Sequence, residues 1–166
     1  MKLDNNKIYE RHYDDSVFIP ASATEIFAFI DDHTRLSSHM NKSSWMMGGG
    51  RMNTSTDAEH GQKTGSHIRM NGKVFGITIF LDEVVIRREP PRIKIWETTG
   101  TPKLLIIGHY RMKAEIGPQE NGSLLRVSID YNLPTRNVLL GKLFGEYYAK
   151  WCVRQMIKDT RDQFGK

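Results

Sequence analysis

Asn137 to Phe164 carry the periodicity of one long amphipathic helix, and the stretch before them, from about Arg51 to Leu133, reads as consecutive strands. That asymmetry restricts the fold more than any other feature of the chain. A long helix laid on a curved antiparallel sheet leaves space between the layers, and function is expected there. Leu139, Leu140, Leu143, Phe144, Tyr147, Tyr148 and Trp151 recur every three to four residues and are expected to form the buried face of the helix. Arg136, Lys142, Glu146, Lys150, Arg154, Lys158 and Arg161 form its wet face. Val153, Met156, Ile157 and Phe164 continue the apolar stripe with angular drift, as in a helix wrapping over a twisted surface. Pro134 and Gly165 bracket the helix.

The earlier chain follows the rules of a meander. His12 to Ile19 alternate and predict a first strand, stopped by Pro20. Ser22-Ala23-Thr24-Glu25 fits a capping box, followed by Ile26, Phe27, Phe29 and Ile30 as a buried helical stripe. Asp31-Asp32 interrupts it, and Thr34 to Met40 predict a second short helix. Turn signals recur at Gly61 to Gly65, Asn71-Gly72, Pro90-Pro91, Gly100 to Pro102 and Gly117 to Gly122. Between them, strands are expected at Arg51 to Ala58, His67 to Met70, Val74 to Arg88, Arg92 to Thr98, Ile107 to Ile116 and Leu124 to Leu133. The last two separate an apolar face (Tyr110, Met112, Ala114, Ile116; Leu125, Val127, Ile129, Tyr131, Leu133) from a wet one. Trp96 shares strand parity with Arg92 and Lys94, which should face water, so its orientation stays open unless a bulge intervenes. Val74 to Arg88 is apolar on both faces, which implies that the outer face also packs; a second copy of the chain would cover it.

Length and composition exclude several classes. A chain of 166 residues fits a single domain, 1–166, with 1–10 read as a flexible N-terminus. An apolar fraction of 39% and a charged fraction of 26% are those of ordinary globular proteins. No apolar run, Leu104 to Ile107 included, approaches the roughly 20 residues a membrane helix needs. Met1 to Asn6 lack an apolar signal region and Cys152 is the lone cysteine, so a cytoplasmic location is expected. The Asn-x-Ser/Thr triplets at Asn41, Asn53 and Asn121 are then chance matches. A net charge of +5 is spread along the chain, so neither nucleic acid nor stable membrane insertion is expected.

Catalytic signatures are sparse. His12, His33, His39, His60, His67 and His109 show no metal-ligand spacing, so neither a metal nor a cofactor is expected. His67 and His109 fall on the polar sides of strands, whereas His39 lies near a loop that would gate a cavity. Gly48-Gly49-Gly50 lacks the Lys-Ser/Thr of a phosphate loop and reads as a turn. Cys152 lies mid-helix without a basic partner and reads as a small buried hydrophobe. The chain has neither a nucleophile elbow nor a dinucleotide fingerprint, and Asp14-Asp15 and Asp31-Asp32 are not spaced as a catalytic pair.

Val17 to Asp32, with the run Ile19-Pro20-Ala21-Ser22-Ala23-Thr24-Glu25-Ile26-Phe27, resembles the opening of the START-like, or SRPBCC (Bet v 1-like), superfamily. Gly65-Ser66, Asp82 to Arg92, Ile93-Lys94-Ile95-Trp96-Glu97 and Gly122 extend the resemblance over about residues 12 to 164. By pattern the chain is most similar to the polyketide cyclase/dehydrase and lipid-transport group. The resemblance implies an α+β helix-grip fold: a curved antiparallel sheet of about 6–7 strands wrapped around a long C-terminal helix, with two short helices after the first strand. It also implies a mainly apolar cavity for lipids, polyketides or aromatic compounds. These motifs are structural, so they specify fold far better than activity.

Read from the residues themselves, Tyr110, Met112, Tyr131, Tyr147 and Trp151 fall on inward faces and form the expected ligand-binding set. Three functions fit. The first is a binder of an apolar or aromatic small molecule. The second is a cyclase, dehydratase or hydrolase using Tyr110 or Tyr131 as acid and His39 as base. The third is a protein- or membrane-interaction module with a vestigial cavity.

Overall fold

The computed structural model describes residues 7–38 and 50–165. His39, most of Gly48-Gly49-Gly50 and the end of the second short helix expected at Thr34 to Met40 lie outside the described residues. Strand β1 (Arg11–Ile19) leads into helices α1 (Ala23–Asp31) and α2 (His33–Leu36). Six strands follow: β2 (Arg51–Thr56), β3 (His67–Val74), β4 (Ile77–Glu89), β5 (Ile93–Lys103), β6 (Tyr110–Gln119) and β7 (Gly122–Tyr131). Helix α3 (Val138–Phe164) ends the order. All strand pairs are antiparallel in one curled sheet, β1-β7-β6-β5-β4-β3-β2, that grips α3. This is the helix-grip arrangement.

Because β1 and β2 lie at opposite edges, the segment between them must cross the sheet, and this crossing places α2 over the concave face. The local chemistry that shapes it is legible. Ser22 and Glu25 close a capping box on α1, with Glu25 N donating to Ser22 Oγ at 3.3 Å and Ser22 N donating to Glu25 Oε2 at 3.0 Å. Asp32 then caps α2 through its Oδ1, which accepts from Thr34 N at 3.0 Å. In β6 and β7 the expected alternation holds, and Met112 lies opposite Ile129 and Ala114 opposite Val127, all buried. At the N-terminal end, the Lys7 ammonium donates to the Thr98 carbonyl at 2.8 Å and Glu10 N donates to Asn132 Oδ1 at 2.9 Å.

Two turn expectations fail for physical reasons. Asn71-Gly72 lies inside β3; the hairpin turns instead at Phe75 and Gly76, whose φ values are 50° and 74°. Gly72 is required by close approach, since a Cβ there would sit 2.0 Å from the Arg51 carbonyl oxygen on β2. Gly72→Val is therefore expected to push β2 off the sheet edge and cost about 1–3 kcal/mol of stability, measurable by urea denaturation. An unchanged midpoint would contradict that backbone contact. Gly100 to Pro102 likewise does not end a strand, because β5 runs on to Lys103.

The first half of α3 buries a different face from the one its periodicity suggests, whereas Val153 and Ile157 farther along are buried as expected. Leu139, Leu143 and Tyr147 are 71%, 64% and 53% exposed, and Leu140 and Phe144 are exposed as well. The buried line of the helix is Gly141, Gly145, Ala149, Cys152, Val153, Ile157 and Thr160. Small residues let the helix approach closely: a Cβ at Gly141 would fall 2.4 Å from Pro134 Cδ. Hydrophobicity marks an apolar arc, but packing selected the neighbouring arc of small side chains.

The two faces of β4 are separated by irregular registers between Phe80 and Asp82 and between Val85 and Arg87. Ile79, Leu81 and Glu83 turn inward onto the cavity. Phe80 on the other face is partly exposed and Val84 is buried.

Candidate functional site

Between α3 and the concave face lies a mainly apolar cavity. Leu81 and Glu83 of β4, Trp96 of β5, Tyr110 and Met112 of β6 and Ile129 of β7 form its sheet wall. His33 and Leu36 of α2 close one side, and Tyr148, Cys152 and Met156 of α3 close another. The apolar Leu104–Ile107 segment lies over the cavity rather than in a strand. About 70 Å³ is open to the centres of water-sized molecules. One water needs roughly 10–15 Å³ on that measure, so the space holds several waters or a small ring.

The polar groups in this wall are few and deeply buried. Glu83 is 1% exposed; its Oε1 accepts a short hydrogen bond from the Tyr110 hydroxyl, and its Oε2 has no partner among the described residues. Burial pushes the Glu83 carboxyl up to about 7, opposed by the Tyr110 hydrogen bond, the positive charge of Lys94 and the nearby Trp96 indole N–H. Burial and the adjacent carboxylate likewise raise the Tyr110 hydroxyl well above its ordinary value. His33 is 2% exposed, stands edge-on to Trp96 at 5.0 Å and has an Nε2 without a partner among the described residues. Burial, assisted by Lys94, holds its imidazole well below the usual range, so the ring is neutral. An unpartnered buried polar atom costs about 1–3 kcal/mol, and here two residues that carry one line the same apolar cavity.

Cys152 and Tyr148 add no charge. Burial raises the Cys152 thiol to about 12 and the Tyr148 hydroxyl well above its ordinary value. Near the Glu83 wall stands a buried ion cluster that the sequence did not suggest. Lys94, fully buried, donates through Nζ to Asp31 Oδ1 at 2.8 Å and to the Asp31 carbonyl at 3.2 Å. Arg88 grips the same carboxylate with Nε at 3.1 Å from Oδ1 and Nη2 at 2.8 Å from Oδ2. Burial raises Asp31, but these hydrogen bonds outweigh it and leave the carboxyl below its ordinary range. Lys94 therefore points inward, and Trp96, two residues on and 1% exposed, does the same. Trp96 does share its face of β5 with Lys94, but that face is the buried one, because Asp31 supplies the charge that Lys94 would otherwise seek in water.

Of the five residues expected to line a site, Tyr110 and Met112 do so. Tyr131 is buried in the core but is not among the lining residues, and Tyr147 faces solvent with its arc of α3. Trp151 is half-buried and packs at 5.8 Å on Tyr148 rather than on the cavity. His67 pairs with Asp82 at 2.9 Å, and His109 Nδ1 meets Thr98 Oγ1 at 3.0 Å. Glu83 and His33 were missed, although both carried a signal. Glu83 shares strand parity with Ile79, Leu81 and Val85, and His33 follows Ile26, Phe29 and Ile30 at helical spacing.

The sequence profile of the family described as "Polyketide cyclase / dehydrase and lipid transport" matches residues 10–163. The chain belongs to this family. Among curated proteins, none matches it significantly. Among solved structures it is similar to the Zhui aromatase/cyclase of Streptomyces sp. R1128, at 11% identity and a TM-score of 0.70, with 93% of each chain covered. It is also similar to a protein of Thermus thermophilus at 14% identity and a TM-score of 0.67, covering 93% of this chain and 97% of that one. Norcoclaurine synthase of Thalictrum flavum aligns at 13% identity and a TM-score of 0.65, covering 95% of this chain and 96% of that one. At such identities the shared property is the fold. One fold can carry different chemistry in the same space between helix and sheet, so activity rests on the residues of each cavity.

Proposed function

We propose that this family member binds a small apolar or aromatic molecule between α3 and the sheet. The observation that carries the reading is an apolar cavity whose wall holds a buried carboxyl bonded to a tyrosine hydroxyl, Glu83 to Tyr110. Such a mixture gives affinity through burial and orientation through a few polar atoms. The size of the space favours a single-ring compound or a slender chain. A larger polyketide-like guest would require the Leu104–Ile107 segment or α3 to move outward.

A second reading is acid–base catalysis on such a guest, favoured by one observation. A carboxyl held at about 7 gives and takes a proton near neutral pH, and Tyr110 is placed to relay or orient it. Glu83 takes the role that the sequence reading gave to His39.

One experiment tests both readings. Native mass spectrometry of purified protein, with extraction of the bound compound, is compared for the unaltered chain and Cys152→Phe, which fills the cavity from α3. Uptake is expected to fall at least about tenfold in the variant, since a phenyl ring occupies the guest's volume. Equal uptake by both would remove this cavity as the site. A guest recovered chemically altered by the unaltered chain, and not by the variant, would select the catalytic reading.

A further inference from the structure

We propose that the cavity selects neutral guests carrying a hydroxyl and rejects carboxylates of the same size, and that Glu83 makes the distinction. This inference rests on the binding reading above and names the chemistry of its guest. Glu83 lines the cavity with its Oε1 occupied by Tyr110, while its Oε2 is buried beside the Trp96 side chain without a hydrogen-bond partner among the described residues. A hydroxyl donor entering between Leu81, Trp96 and Met112 supplies the missing partner and leaves no new polar atom unpaired.

An anionic guest meets the opposite situation. The described lining residues include no lysine or arginine. Lys94 and Arg88, the nearby cations, are both engaged by Asp31. His33 is neutral, because burial and Lys94 disfavour its cation. A carboxylate would therefore be desolvated beside another carboxyl group with no free cation among the described lining residues to balance it. A neutral guest without a hydroxyl would bury its ring equally well and leave Oε2 unpaired.

Three probes that share the tolyl ring separate these terms: p-cresol, toluene and p-toluate, titrated calorimetrically into the unaltered chain. p-Cresol is expected to bind at least about tenfold more tightly than either of the others, the discrimination of a site built to pair a hydroxyl. In Glu83→Gln, which keeps the side-chain shape and offers an N–H to an anion, the preference for p-cresol over p-toluate should shrink to about threefold or less. Toluene binding as well as p-cresol, or p-toluate binding as well, would overturn this proposal and leave the cavity reading standing. An unchanged preference in Glu83→Gln would also overturn it. Binding of none of the three would overturn both.

Discussion

Asp31→Ala is expected to destabilise the protein by about 3–5 kcal/mol, the cost of leaving a buried charge without its partner. For a chain of this length the melting temperature should fall by about 6–20 °C. The reason lies in the two cations that share Asp31. The Arg88 side chain is 27% exposed and can turn toward water, but the Lys94 side chain is 0% exposed and cannot. Truncating Asp31 strands the Lys94 ammonium, which must lose its proton or disrupt the packing around α1 and β5. Asp31→Leu combined with Lys94→Met should recover much of the loss, because apolar groups of similar volume remove both desolvation costs. Thermal and urea denaturation of the three chains would measure this. A loss below about 1 kcal/mol in the single variant would show that Lys94 reaches solvent easily and that the cluster is not structural.

The second large effect concerns pH. The Glu83 carboxyl lies at about 7 in the folded chain against 4.5 for an ordinary glutamate. The folded state therefore holds this proton more tightly than the unfolded one. Its contribution is fully present below 4.5 and is lost as pH rises through about 7. At about 1.4 kcal/mol per pKa unit the loss is about 3 kcal/mol. His33 works in the other direction: its depressed value makes its contribution complete above about 6.5 and lost on acidification. Comparing the unaltered chain with Glu83→Gln cancels the His33 contribution. The glutamine variant should match the unaltered chain near pH 4.5 and exceed it by about 3 kcal/mol at pH 8. A constant difference across that range would mean that Glu83 ionises normally. Stabilisation by removing a polar cavity residue is the trade expected where a site is strained for use.

Much of this was legible because periodicity reports local structure directly. The Ser22–Glu25 box, the alternation of Tyr110 to Ile116 against Leu125 to Tyr131 and the single helix from Val138 to Phe164 all stand where the residues put them. Periodicity fails where two elements meet. It could not tell that α3 buries Gly141, Gly145 and Ala149, because a small residue carries little hydrophobic signal while permitting the closest contact. For the same reason Gly72 resembled a turn when it was a point of strand approach. A charged residue misled more strongly: Lys94 read as wet, yet it is buried because a distant residue, Asp31, meets it.

Local patterning was enough for the α+β order, the antiparallel meander, the closing helix and an apolar space between them, since each follows from contacts within a few residues and from the spacing of turns. The chemistry of that space arises only when distant parts of the chain meet. Glu83, Tyr110 and His33 come from β4, β6 and α2, and the curl of one sheet and the crossing from β1 to β2 bring them to the same cavity. Their altered acidities arise from burial and from partners distant in the chain, and neither is encoded at the position of the residue that feels it.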